Sequence, residues 1–298
     1  MSFRPYPTRS GQIGLALVTV AGLMLLMVAD TLFHQRDPAT AFILLASCLF
    51  LASVALAAVY WTVTALKLTY HLDRNGLAIR WGLGRQLIPF NSVAEIVSGQ
   101  VVSGPAKFRG LALAGLRLGW GELPEYGLLR FHTTAPLADS LLIVTLDKTY
   151  VISPSQPQAF LKAWQAREEL GATREWREEI RRSWPFSLAV MSDPLTWWLF
   201  GSATVTGLAL LGYLSFSYAS LPAVVPLHFD AWGLADRMVE KSRLFTLPAL
   251  GGFILILNAI VGGLVYSKEK LAAYLLWSST ILVQLCLWIA ALIITTAA

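Results

Sequence analysis

Five apolar stretches, each long enough to cross a bilayer, leave this chain few folds to choose from. Residues 11–33 (GQIGLALVTVAGLMLLMVADTLF) carry one charge, Asp30, close to their end. At a rise of about 1.5 Å per residue such a run covers the roughly 30 Å hydrocarbon core as a helix. It is too long for the apolar region of a signal peptide, and no A-x-A site follows it. Residues 41–66, 194–218, 245–266 and 271–295 are four more runs of this kind. The sequence therefore predicts a membrane all-α bundle of five transmembrane helices. With 56% hydrophobic and 14% charged residues, the chain has the composition of a membrane protein.

Residues 67–193 obey a different period. The solid apolar run gives way to alternation, the mark of half-buried strands. In LTYHLDRNGLAIRWG, Asn75-Gly76 is a hairpin-turn dipeptide, and Leu77, Ile79 and Trp81 fall on one face with Ala78 and Arg80 on the other. LLIVTLDKTYVIS predicts a second hairpin around Asp147-Lys148. After Pro154 and Pro157 a helix is expected from about Gln158, with Phe160, Leu161 and Trp164 on one stripe. The mixed charges that follow predict an amphipathic connector helix over 166–193, broken at Gly171. The expected divisions are thus 1–66 (amino-terminal arm and two-helix hairpin), 67–165 (β-rich insert closed by a helix), 166–193 (connector) and 194–298 (three helices with an outer loop, 219–244).

The formal charge of +5 does not point to nucleic acid, because the basic residues lie mostly beside the membrane. Counting Lys and Arg in the connections puts Arg4, Arg9, Lys268, Lys270, Arg181 and Arg182 on one side when the amino terminus is cytoplasmic. The carboxyl terminus and the loop 219–244 then lie outside. Cys48 and Cys286 sit inside apolar runs and form no disulfide framework or CxxC motif.

Two segments resemble known families. YHLDRNGLAIRWG, LIPFNSVAEI and above all DKTYVISPSQPQAFLKAW resemble a bacterial pleckstrin-homology (PH)-like domain over residues 68–165. The resemblance implies a β-meander whose last hairpin runs into a closing helix. LPAVVPLHFDAWGLADRMVEKSRLFTLP resembles the signature of a bacterial multi-span family of unknown function, which includes membrane proteins giving immunity to a secreted toxic peptide. Its positions here are Leu221, Pro222, Pro226, His228, Phe229, Gly233, Asp236 and Lys241, and Met238, Val239 and Glu240 depart from its usual small or aromatic residues. What this second resemblance implies is architecture, since that family has no agreed reaction.

Several side chains are candidates for a site. His228, Asp230 and Asp236 could offer three ligands to zinc; the plainer reading is a turn set by Pro222, Pro226 and Gly233, whose Asp side chains satisfy backbone donors. Asp30, near the outer end of the first span, could pair with Lys241 or Arg243, or reach the headgroups alone. Lys67, Arg74, Arg80 and Arg85, near the end of the second span, could touch anionic headgroups or simply be solvated. Asn258 and Gln284, at mid-membrane depth in adjacent helices, predict an interhelical hydrogen bond. Tyr60 and Trp61 read as an aromatic belt, and Trp197 and Trp198 as interface anchors. No Gly-x-Ser-x-Gly or Cys–His arrangement suggests nucleophilic catalysis, and the spans hold almost none of the charged groups a proton-coupled transporter needs.

The expectation is a bacterial inner-membrane protein with no cofactor and no enzymatic activity, serving recognition, scaffolding or regulation. Its expected partners are membrane lipid and other membrane subunits or a peptide, as an accessory subunit or an immunity-type binder. The competing expectation is a metal-dependent hydrolase on the outer loop.

Overall fold

The computed structural model describes residues 1–102, 107–171, 173–174, 176–183, 188–229 and 235–298, with the backbone alone at 182, 228, 229, 235 and 236. Five of its helices are long and apolar enough to cross a membrane, the architecture of a multi-pass membrane protein. The chain divides into two compact units, residues 1–24 with 51–184 and residues 25–50 with 185–298.

The first unit starts with a two-residue strand, β1 (Ser2–Phe3), ahead of α1 (Ser10–His34) and α2 (Pro38–Lys67). Then come β2 (Thr69–Leu72), β3 (Gly76–Trp81), β4 (Gly84–Pro89), β5 (Val93–Ser98), β6 (Lys107–Leu113), β7 (Leu116–Leu123), β8 (Gly127–Thr133), β9 (Leu141–Thr145), β10 (Thr149–Ile152), α3 (Pro157–Glu169) and β11 (Glu179–Arg182). They form two sheets, ordered β1-β2-β3-β4-β11 and β5-β9-β10-β8-β7-β6, antiparallel except for the β8–β10 pair. The alternating pattern explains the packing. Leu77, Ile79 and Ile88 from the first sheet meet Leu141, Ile143, Tyr150 and Ile152 from the second in one core, which Phe160 and Trp164 of α3 also enter. The intervening residues Leu129, Phe131, Leu142 and Val151 build a smaller cluster on the other face of the second sheet.

Three features depart from the expected layout. The amino-terminal arm is part of the β domain rather than of the helix hairpin. Ser2 and Phe3 pair with His71 and Tyr70, and Tyr6 N–H and Ser155 N–H bond the carbonyls of Ser153 and Arg4 at 2.8 and 3.0 Å. Trp61 is no interfacial belt residue: it is buried in the β-domain core. It precedes the end of α2 by six residues, about 9 Å, which lets the ring reach the sheet. The connector is not a helix over 179–182, where the chain is a strand on the edge of β4. Gly171, with φ of +69°, ends the preceding helical segment, since a left-handed residue terminates a helix at little cost only when it lacks Cβ. Asn75 Oδ1 then accepts from Thr173 N–H and Arg174 N–H at 2.9 and 2.8 Å. That turns the chain back toward the unpaired backbone edge of β4.

The second unit holds α4 (Pro194–Ser217), β12 (Val224–Phe229), β13 (Ala235–Glu240), α5 (Thr246–Tyr266) and α6 (Lys270–Ala297). The expected outer loop is a β-hairpin. Val225 pairs with Val239 and Pro226 with Met238, with register shifts on either side of His228. Its apolar residues Val225, Leu227 and Val239 pack with Leu210, Leu214, Leu287 and Ile294, so the hairpin caps one end of α4 and α6. At the other end Asp193 caps the start of α4. Its carboxylate accepts from Leu195 N–H at 3.0 Å, Tyr266 hydroxyl at 2.8 Å and Tyr274 hydroxyl. One side chain thus ties α4 to both sides of the α5–α6 turn.

These bonds hold the Asp193 carboxyl below its ordinary range, the Tyr274 hydroxyl contributing most. The folded group therefore titrates below the unfolded value of about 3.9, so its contribution is complete above that value and fades as pH falls through the folded pKa. Asp193→Asn is expected to lower the thermal midpoint of the detergent-solubilised protein at pH 7, with the gap to wild type closing toward pH 3. A gap that held constant across that range would show that the carboxylate charge contributes nothing.

Candidate functional site

Three of the four basic residues beside the second span come together. Lys67, the last residue of α2, Arg80 of β3 and Arg85 of β4 line one cleft of about 520 Å³, with Trp81 and Ser183. Strand register makes the grouping tight. Arg80 lies directly opposite Arg85, and Arg85 directly opposite Arg181 of β11. Directly paired residues share a face of the sheet, so three arginines form a row across neighbouring strands. Arg181 is paired with Glu179. Among the described residues, Lys67, Arg80 and Arg85 have no ion-pair partner. Like charges set opposite one another across strands are unfavourable, and an anion lying over them would offset that. The place of Arg181 in this row was not legible in the sequence, where it counts only toward topology, because its segment reads as helical from charge alone.

Arg74 is drawn elsewhere. Its guanidinium donates to the Leu170 carbonyl at 3.2 Å, at the end of α3. Lys241 does the same for α4: its ammonium donates to the carbonyl of Tyr218, the residue that closes the helix, at 3.0 Å and to that of Leu221, beyond it, at 3.1 Å, and sits 4.4 Å from the Tyr218 ring centroid. The last carbonyls of a helix lack intrahelical donors and carry its negative dipole end, so a nearby cation settles there. The expected Asp30–Lys241 or Asp30–Arg243 pair is not among the ion pairs of the described residues. Asp30 lies 4.0 Å from His34, both side chains more than three-quarters exposed.

Asn258 makes the expected kind of interhelical bond but with other partners. Its amide donates to the Leu276 carbonyl at 3.1 Å and Thr280 hydroxyl at 2.9 Å, and its own carbonyl accepts from the Trp277 indole at 3.0 Å. Gln284 is 1% exposed and packs against Gly207 of α4 and Gly251 of α5. The absence of side chains at both glycines is what admits an amide at this three-helix crossing.

Of the strip 221–241, Pro222 precedes β12, Pro226 lies buried within it, and His228, Phe229 and Asp236 fall on the paired strands. Asp230 and Gly233 lie outside the described residues, as do the side chains of His228 and Asp236, and with them the whole expected zinc set. Among the described residues no three His, Cys, Asp or Glu side chains gather as a metal site.

Residues 68–168 match a family described as a bacterial PH domain. Residues 205–252 match a domain of unknown function, DUF1648, which here comprises the second half of α4, the β12–β13 hairpin and the start of α5. No curated protein and no solved structure matches the chain.

Proposed function

We propose that this chain is a non-enzymatic protein of the bacterial inner membrane that serves recognition or scaffolding, as an accessory subunit of a larger assembly or an immunity-type peptide-binding protein. Its PH-like domain lies on the cytoplasmic side and holds anionic lipid headgroups in the cleft of Lys67, Arg80 and Arg85. The observation that carries the reading is the register of Arg80, Arg85 and Arg181 on one face, beside the end of a membrane-spanning helix. The basic α5–α6 turn, which carries Lys268 and Lys270, supports the same side for that end of the bundle, and leaves the β12–β13 hairpin to face an external ligand.

The test is binding of short-chain phosphatidylglycerol and phosphatidylcholine to the full chain in neutral detergent, read by thermal stabilisation. Each cation near an anionic surface contributes about 1 kcal/mol. Lys67→Gln/Arg80→Gln/Arg85→Gln is therefore expected to weaken the phosphatidylglycerol response roughly hundredfold, and the wild-type response to fall with salt. Equal responses to both lipids, or an unchanged triple variant, would remove the headgroup reading.

A further inference from the structure

A second cavity, of about 820 Å³, lies within the first unit between the two helices and the six-stranded sheet. It shares no cation with the basic cleft. Leu17 of α1 and Val54 and Ala57 of α2 form one wall, Leu111 and Leu113 of β6 another. Its size falls in the range of roughly 300–1,000 Å³ in which pockets enclose small ligands. Two glycines help to give it depth. Gly110 and Gly119 are directly opposed on β6 and β7, both at positive φ, and a Cβ on either would overlap the partner's backbone. Leu111 and Leu113 line it while remaining 45% and 47% exposed.

The polar groups of this cavity are few and pointed. Arg130 of β8 lines it and has no ion-pair partner among the described residues. His132, two residues along the same strand and therefore on the same face, packs against Trp81 with ring centroids 4.5 Å apart and planes tilted by 48°. Burial depresses its pKa to about 3, so the ring is neutral. His132 Nδ1 and Trp61 Nε1, both on residues bordering the cavity, are buried without a hydrogen-bond partner. Buried polar atoms left in this state are rare and call for an explanation. A mainly apolar cavity lined by one cation with no ion-pair partner among the described residues complements a molecule with an acyl chain and a negative headgroup. One of its walls belongs to α1 and α2, helices long and apolar enough to cross a membrane, where phospholipid is the solvent.

We infer that this cavity holds one anionic phospholipid, its chain along Leu17, Val54, Leu111 and Leu113 and its phosphate on Arg130, as a resident lipid between helices and domain. The site adjoins the headgroup cleft at Trp81, which lines both, but it has its own cation in Arg130 and stands or falls by that residue.

The experiment is native mass spectrometry of the full chain, released from neutral detergent after loading with equal phosphatidylglycerol and phosphatidylcholine. Wild type is expected to retain one phosphatidylglycerol at collision energies that strip the rest. Arg130→Gln removes a charge-assisted contact and should reduce the preference for phosphatidylglycerol roughly tenfold or more. Ala57→Trp, which fills the cavity from the helix side, should abolish retention at an unchanged thermal midpoint; Leu113→Gln in its lining gives a second reading should the tryptophan impair folding. Retention of neither lipid, equal retention of both, a retained protein in place of lipid, or wild-type behaviour in Arg130→Gln would overturn the proposal. So would retention lost in Lys67→Gln/Arg80→Gln/Arg85→Gln but intact in Arg130→Gln, which would place the lipid in the cleft.

Discussion

Phe3→Ala is expected to destabilise the PH-like domain by about 3–5 kcal/mol, the range for truncating a buried aromatic side chain. Phe3 is 5% exposed and belongs to the same core as Leu77, Ile143 and Tyr150. Its ring meets Phe160 of α3 edge-on, with centroids 5.2 Å apart and planes at 73°, a geometry favourable beyond the area it buries. The backbone around it is fixed as well, since Met1 and Leu72 exchange hydrogen bonds of 2.9 and 2.8 Å across the β1–β2 ladder. Tyr6→Ala is the control, because that side chain is half exposed and its backbone bonds survive the substitution. Pulse proteolysis of the full chain in detergent should place Phe3→Ala well below wild type and Tyr6→Ala within about 0.5 kcal/mol of it. If the two variants behaved alike, the arm would contribute no core to the domain.

The arm also shows what the sequence conceals. The five spans were legible because a bilayer demands some twenty apolar residues in a row, a signal few other structures give. The β insert was legible from its period of two, and the family match over residues 68–168 agrees with that reading. A two-residue strand has no period to read, and nothing in Ser2-Phe3 says that its partner lies beyond two membrane helices. Residues 179–182 fail for the opposite reason. Their charges suit a solvated helix, and only the free edge of β4 makes them a strand. Of the basic cleft, the proximity of Lys67, Arg80 and Arg85 to the span was visible in the sequence. Their register was not, because it depends on pairing, and the same holds for the diversion of Arg74 and Lys241 to carbonyls at and just past helix ends. Arg130 and His132 carried no signal at all, being ordinary alternate residues of a strand until helices α1 and α2 are set beside them.

Gly262→Val should destabilise the contact between α5 and α6 by about 2–5 kcal/mol. A Cβ at Gly262 would overlap the indole nitrogen of Trp277. That ring cannot yield cheaply: it is 2% exposed, stacked on Tyr266 at 5.9 Å and packed on Phe200 at 5.0 Å. Overfilling such a contact costs about 1–3 kcal/mol. Moving the indole also breaks its bond to the Asn258 carbonyl, an interhelical hydrogen bond worth about 0.6–2 kcal/mol in a membrane. The strain should spread further, because the Asn258 amide is held by Leu276 and Thr280 on either side of the same tryptophan. The adjacent Gly263 supplies the comparison, since a Cβ there meets nothing within 4 Å, and Gly263→Val is expected to be close to neutral. Both substitutions add the same β-branched side chain at neighbouring positions of one apolar helix, so helix propensity and hydrophobicity cancel between them. Thermal midpoints in the same detergent isolate the packing. A large drop for Gly262→Val alone would establish that Gly262 is kept for the approach of α6, and equal drops would assign the effect to the helix itself.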